Sequence, residues 1–193
     1  MPDSKRIGLF GGTFDPVHLG HTIVAEWMLY KCRLDEIFFV PNFIHPFAKR
    51  DDISPPDDRL AMLKLAIHGF PYFSISDYEL KKDKVSYTID TIRYFKGQFP
   101  DAEIYYLIGS DNVREFSLWK DADKIFQLAN VAVHNRSSQK FKNAEKFNFI
   151  DSPLIEISSS FIRKNIKNHL PYRSFLHPDV SAYIEKKKLF GLL

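Results

Sequence analysis

Between residues 11 and 21 the chain reads GGTFDPVHLGH, which puts two glycines, an Asp-Pro pair and two histidines into eleven positions. Gly11 and Gly12 directly follow the first apolar run, and the histidines open the first helical pattern. Glycine tolerates positive φ and lets a ligand come close to the backbone. A helix N-terminus adds N–H groups with no intrahelical partner and the positive end of the helix dipole. The chemistry such a junction favours is phosphate binding. His18 and His21 lie three apart, hence on one helix face a turn apart. One reading has them cap and pack. A metal pair would instead want i, i+4 spacing, a third ligand and usually a carboxylate, as in H-E-x-x-H. The third reading makes them donors to phosphate oxygens whose charge grows in a transition state, and it suits the glycine loop best. The stretch is neither G-x-G-x-x-G nor a Walker A loop, which would end in Gly-Lys-Ser/Thr.

A second stretch, ISSSFIRK at 157–164, carries compatible chemistry. Serines at a helix start cap its first N–H groups and line an anion site. Arg163, one turn further in, offers a planar guanidinium to the same anion.

These residues need a scaffold, and the apolar pattern supplies one. Strand-like runs at 6–11, 36–42, 73–80, 103–112, 130–136 and within 149–158 alternate with helical patterns at 18–32, 56–68, 86–99, 121–128, 159–168 and 177–191. Pro56 and Pro178 suit first helical turns, while lysines and Gly191 suit the last stop. Alternation of this kind predicts a doubly wound α/β domain whose mostly parallel sheet is covered by helices on both faces. Ligands then bind beyond the C-terminal strand ends, where the strand order reverses. Both the 11–21 stretch and the loop LIGSDN (107–112) leave a strand there. The longest irregular stretch, 43–56, has the length and charge of an active-site lid.

Taken together, the two phosphate stretches resemble the nucleotidylyltransferase superfamily, with its H-x-G-H and I-S-S-T-x-I-R signatures; Ser160 stands at the usual threonine. VSYTIDTI (85–92), LIGSDN, LWKD (118–121) and VAVHNR (131–136) follow in the order found in bacterial nicotinate-nucleotide adenylyltransferases. That resemblance spans nearly the whole chain and implies one nucleotidylyltransferase domain over residues 1–193 with a Rossmann-like fold. It implies transfer of the adenylyl group of ATP to nicotinate mononucleotide, with Mg²⁺ carried by ATP. His18, His21 and Arg163 would act on the phosphates. Gly11, Gly12, Thr13, Phe14, Gly109, Asp111, Ser158, Ser159 and Lys49 would bind ATP. Tyr87, Thr88, Trp119 and Arg136 would bind the nicotinate nucleotide, with Trp119 stacking on its ring and Thr88 near its carboxylate. The family's P-P-H-K loop reads HPFAK here (45–49), so Phe47 and Ala48 occupy the usual His and Lys positions and Lys49 follows one place later.

Composition sets the outer bounds. The chain has 193 residues, 45% hydrophobic and 26% charged, which is ordinary for one globular domain. A net charge of +3 fits an anionic small molecule and does not by itself call for nucleic acid. The basic runs at 81–84 and 185–188 include acidic residues and read as solvated faces. The single cysteine, Cys32, excludes an intramolecular disulfide and reads as structural. No run reaches the ~18–20 apolar residues of a membrane span. The expected setting is the cytoplasm, without a membrane or nucleic-acid partner, and a homo-oligomer is compatible with this composition.

Overall fold

Six apolar runs become strands because Val, Ile, Leu and Phe fit a sheet buried on both faces. They are β1 (Arg6–Gly12), β2 (Glu36–Pro41), β3 (Phe73–Ile75), β4 (Glu103–Gly109), β5 (Asn130–His134) and β6 (Asn148–Ile150). The computed structural model describes residues 4–43, 53–82, 84–134 and 144–192. Most of the 43–56 stretch, including Lys49 and the HPFAK motif, falls outside the described residues, as does Arg136.

The strands form one sheet in the order β3-β2-β1-β4-β5-β6, and every neighbouring pair is parallel. The chain walks outward from β1 to β3, then returns to lay β4 on the other side of β1. That reversal opens a crevice between the C-terminal ends of β1 and β4.

Seven α-helices occur among the described residues: α1 (Leu19–Lys31), α2 (Pro56–Ile67), α3 (Tyr78–Lys81), α4 (Thr88–Gln98), α5 (Ala122–Leu128), α6 (Ser159–Lys167) and α7 (Pro178–Lys187). Successive strand residues face opposite ways, so two cores form. Ile37, Phe39, Leu107 and Ala132 pack with Met28, Leu63, Ile162 and Val180 from α1, α2, α6 and α7. Ile104, Ile108, Val131 and Val133 pack with Ile89, Ile92 and Ile125 from α4 and α5. Each such Val, Leu, Ile, Phe or Met side chain contributes ~1.5–3 kcal/mol when fully buried.

Three boundaries differ from the pattern. The strand expected over 73–80 stops at Ile75, and Tyr78–Lys81 make one helical turn. Alternating polarity in FSISDYEL mimics a strand, but the turn carries Glu79 inward instead. Within 149–158 only residues up to Ile150 are strand, and the approach to α6 is irregular. The last helix ends at Lys187, where Lys188 takes φ 51° and stops it three residues before Gly191.

Candidate active site

The first loop leaves β1 at Gly12 and enters α1 at Leu19. Phe14 sits in the left-handed region with φ 51°, and the Asp15–Pro16 peptide is cis. The Phe14 ring is only 2% exposed, held against Phe10 at 5.8 Å, Phe39 at 5.7 Å and His21 at 5.1 Å. Its side chain is thus a core anchor for the loop, and any ATP contact from this position is left to the backbone. Gly11 has to be glycine because a Cβ there would lie 2.5 Å from the Tyr106 hydroxyl.

His18 is the N-cap of α1, and its backbone N–H donates to His21 Nδ1 at 3.1 Å. An accepting Nδ1 puts the proton of a neutral imidazole on Nε2. His21 is therefore built as an Nε2–H donor, and it borders the cavity. The two rings lie 3.7 Å apart at 31°. Gly20 makes this stacking fit, since a Cβ would come within 2.9 Å of His18 Nδ1.

The second stretch is sewn onto the first. Ser158 caps α6 by accepting from the Phe161 N–H at 3.1 Å. Ser159 Oγ donates to the Pro16 carbonyl at 2.9 Å. Arg163 Nη1 donates to the Asp15 carbonyl at 2.6 Å, and Nη2 to Ser160 Oγ at 3.1 Å. The sequence expectation aimed these side chains at a phosphate. In this structure Ser159 and Arg163 hydrogen-bond backbone carbonyls of the first loop, so α6 abuts that loop.

A cavity of about 570 Å³ opens at the β1–β4 crevice. Gly11, Gly12, Thr13 and His21 border it, with Gly109 at the end of β4 and Asp111 in the turn that follows. Tyr87, Thr88 and Trp119 border it as well. Tyr87 is the N-cap of α4 and Thr88 its first residue, so the α4 N-terminus faces this space. Trp119 stacks on Phe116 with centroids 4.8 Å apart and meets Tyr106 edge-on at 6.1 Å. Nine of the expected residues thus share one cavity wall. Of the other expected residues described, the Phe14 and His18 side chains are buried, Ser158 caps α6, and Ser159 and Arg163 bond the backbone of the first loop.

The sequence pattern missed several cavity residues. Tyr106 is buried, accepts from Thr88 Oγ1 at 3.2 Å, and burial pushes its phenol far above the usual range. Glu79 borders the cavity and takes a short hydrogen bond from Thr91. Burial raises its pKa, against the opposing hydrogen bonds from Thr91 and Ser86. Asn42 is buried beside Thr13, with its Nδ2 3.4 Å from Thr13 Oγ1. Lys120 is the one Lys or Arg on the described cavity wall, resting 4.4 Å over the Tyr87 ring and 3.7 Å from Asp90. Among the described residues no group of three or more His, Cys, Asp or Glu could hold a metal. Arg59 lies behind the first loop, and it did leave a signal. It shares the i, i+3, i+4 face with Met62 and Leu63, both fully buried.

A glycine loop, a helix N-terminus and a second helix braced on that loop define a nucleotide-binding α/β site of the nucleotidyl-transfer class. Residues 9–165 match the cytidylyltransferase-like family model. A probable nicotinate-nucleotide adenylyltransferase of Bacillus licheniformis is 38% identical over 186 residues, covering 96% of this chain and 98% of the relative. A probable nicotinate-nucleotide adenylyltransferase of Shouchella clausii is 40% identical, with 97% of each chain covered. The chain belongs to the cytidylyltransferase-like family and, within it, to the nicotinate-nucleotide adenylyltransferases. A solved Plasmodium falciparum nicotinic acid mononucleotide adenylyltransferase, complexed with NaAD, has the same fold with TM-score 0.83 at 22% identity, covering 98% of both chains.

Proposed function

We propose that this protein joins ATP and nicotinate mononucleotide into nicotinate adenine dinucleotide and pyrophosphate, a step of NAD biosynthesis. The observation that carries this reading is the single cavity that joins a phosphate loop, with His21 as an Nε2–H donor, to a wall made by Trp119 and the α4 N-terminus. An oxygen of the mononucleotide phosphate attacks the α-phosphorus of ATP. The bond from that phosphorus to the bridging oxygen breaks, and the electron pair leaves on pyrophosphate. The attacking oxygen is already anionic at neutral pH, so no general base is required. Catalysis then rests on in-line positioning and on donors that meet growing negative charge. His21 supplies one such donor, and the backbone of Gly11, Gly12 and Thr13 brings the loop close enough to take phosphate oxygens. His18, Ser159 and Arg163 keep these groups in place. Lys49 and Arg136 would add positive charge to the phosphates.

At the other end, Trp119 offers its ring to the pyridine. Thr88 and the N–H groups of the α4 start receive the carboxylate, which the helix dipole favours over an amide. Mg²⁺ bound with ATP would neutralise charge on the leaving pyrophosphate. Such an ion needs only one or two protein carboxylates beside the phosphates, a demand that Asp111 on the cavity wall fits. The setting proposed is the cytoplasm, in keeping with a lone, unbridged Cys32. No helix among the described residues is long and apolar enough to cross a membrane.

Pyrophosphate release from ATP should be measured with nicotinate mononucleotide and, separately, with nicotinamide mononucleotide. The acid should react with the higher kcat/KM. A preference for the amide, or no release with either, overturns this reading.

A further inference from the structure

Arg59 is only 1% exposed, a burial that a guanidinium sustains only when its donors are matched. Its partners among the described residues include backbone carbonyls from three separate segments. Nε donates to Ser54 at 3.1 Å, and Nη1 donates to Asn42 at 2.8 Å and Thr13 at 2.9 Å. Nη2 reaches the Phe43 carbonyl at 3.5 Å. Thr13 follows β1, Asn42 and Phe43 follow β2, and Ser54 precedes α2. One side chain thus ties the C-terminal exit of β1, which borders the crevice, to that of its neighbour β2. The Ser54 N–H adds a bond back to Asp15 Oδ2 at 3.3 Å, which closes the ring.

We propose that Arg59 is a positioning residue for the phosphates of the nucleotide, acting through the Thr13–Phe14 peptide. This role rests on the adenylyl-transfer reading. Thr13 borders the cavity and Arg59 does not, so the guanidinium holds the Thr13 carbonyl on the outer side of the loop. That peptide is trans. In a planar trans peptide the N–H points opposite to the carbonyl, so the Phe14 N–H is turned to the cavity side. Arg163 holds the carbonyl of Asp15, two residues further on, but the residue that follows is Pro16, which has no N–H to present. Arg59 therefore sets a donor that Arg163 cannot. Lysine would keep the charge, but it is a single point donor without the fork that reaches several carbonyls.

Arg59→Lys should remain folded by circular dichroism. Its KM for ATP should rise ~10-fold or more, the usual cost of losing a charge-assisted hydrogen bond, while its KM for nicotinate mononucleotide stays within about twofold. An ATP KM that stays within about twofold in the folded variant overturns the proposal, and so does an equal rise in both constants. A titration of ¹⁵N-labelled wild-type protein with Mg²⁺ and α,β-methylene-ATP decides the matter even if the variant does not fold. The Phe14 amide resonance should shift at saturation, and an unmoved resonance refutes the role. Wild-type protein that binds the analogue but releases no pyrophosphate would sink the adenylyl-transfer reading instead, so the two failures are distinct.

Discussion

Replacing Gly20 by alanine would place a methyl carbon 2.9 Å from His18 Nδ1, 3.1 Å from His18 Cε1 and 3.0 Å from Ile155 Cγ2. Relaxed contacts between such atoms lie at ~3.5–4.0 Å, so something must move by roughly 0.5–1 Å. His18 is 4% exposed and already stacked 3.7 Å from the His21 ring, so its retreat presses on His21. Two energies oppose each other in stability. Alanine in place of glycine gains ~0.5–1 kcal/mol in a helix, and overpacking costs ~1–3 kcal/mol. The net loss is ~0–2.5 kcal/mol, and at ~2–4 °C per kcal/mol the Tm falls by at most ~10 °C. Activity should suffer more than stability, because misplacing a catalytic group by ~1 Å costs up to ~100-fold. We expect kcat/KM for ATP to fall ~10- to 100-fold in a variant that still unfolds cooperatively. Initial rates of pyrophosphate release and a thermal melt on the same preparation check this. A folded Gly20→Ala protein with wild-type kcat/KM would refute the idea that the stacked imidazoles set the donor geometry.

His21→Ala removes the Nε2–H donor and should lower kcat ~100- to 1,000-fold; near-normal turnover in a folded variant would sink its assigned role. Trp119→Ala should raise the KM for the mononucleotide while leaving the KM for ATP near its wild-type value, as steady-state kinetics with each substrate varied will tell. Burial raises the Glu79 pKa, so above its ordinary 4.5 the folded state binds more protons than the unfolded state, and stability falls as pH rises through the raised folded value. Glu79→Gln removes that loss, so melts from about pH 4 to about pH 8 should show the variant gaining on wild type as pH increases. Burial pushes the Cys32 thiol up to about 11; iodoacetamide at about pH 8 should therefore label the native protein far more slowly than the urea-unfolded chain.

Strand and helix order was readable because each element carries its own periodicity, and so was the crevice, which follows from parallel topology. The loop residues Gly11, Gly12 and Thr13 and the pair Tyr87–Thr88 could be placed at strand exits and helix starts for the same reason. Glu79 was not, since a single helical turn has too few residues to reveal a period, and its polar-apolar alternation reads as β. Tyr106 was hidden inside an apolar strand where its hydroxyl has no sequence signature. Ser159 and Arg163 were legible as a capped helix start, but which group they touch depends on how α6 docks, and sequence spacing is silent on that. Arg59 belonged to a charged-looking turn, PDDR, and only its place on the Met62–Leu63 face marked it as interior.

The tether between Ser159 and Pro16 spans 143 residues, and the one between Arg163 and Asp15 spans 148. Proteins are made from the N-terminus at ~5–20 residues per second, so the ribosome delivers the loop roughly 7–30 s before the helix that steadies it. During that interval the nascent chain has the Asp15 and Pro16 carbonyls without their donors. Any message cut short between β6 and α6 would yield a chain without the brace on the loop and without the share of the core that α6 and α7 bring to one face of the sheet. Competence therefore arrives late in synthesis, and all at once.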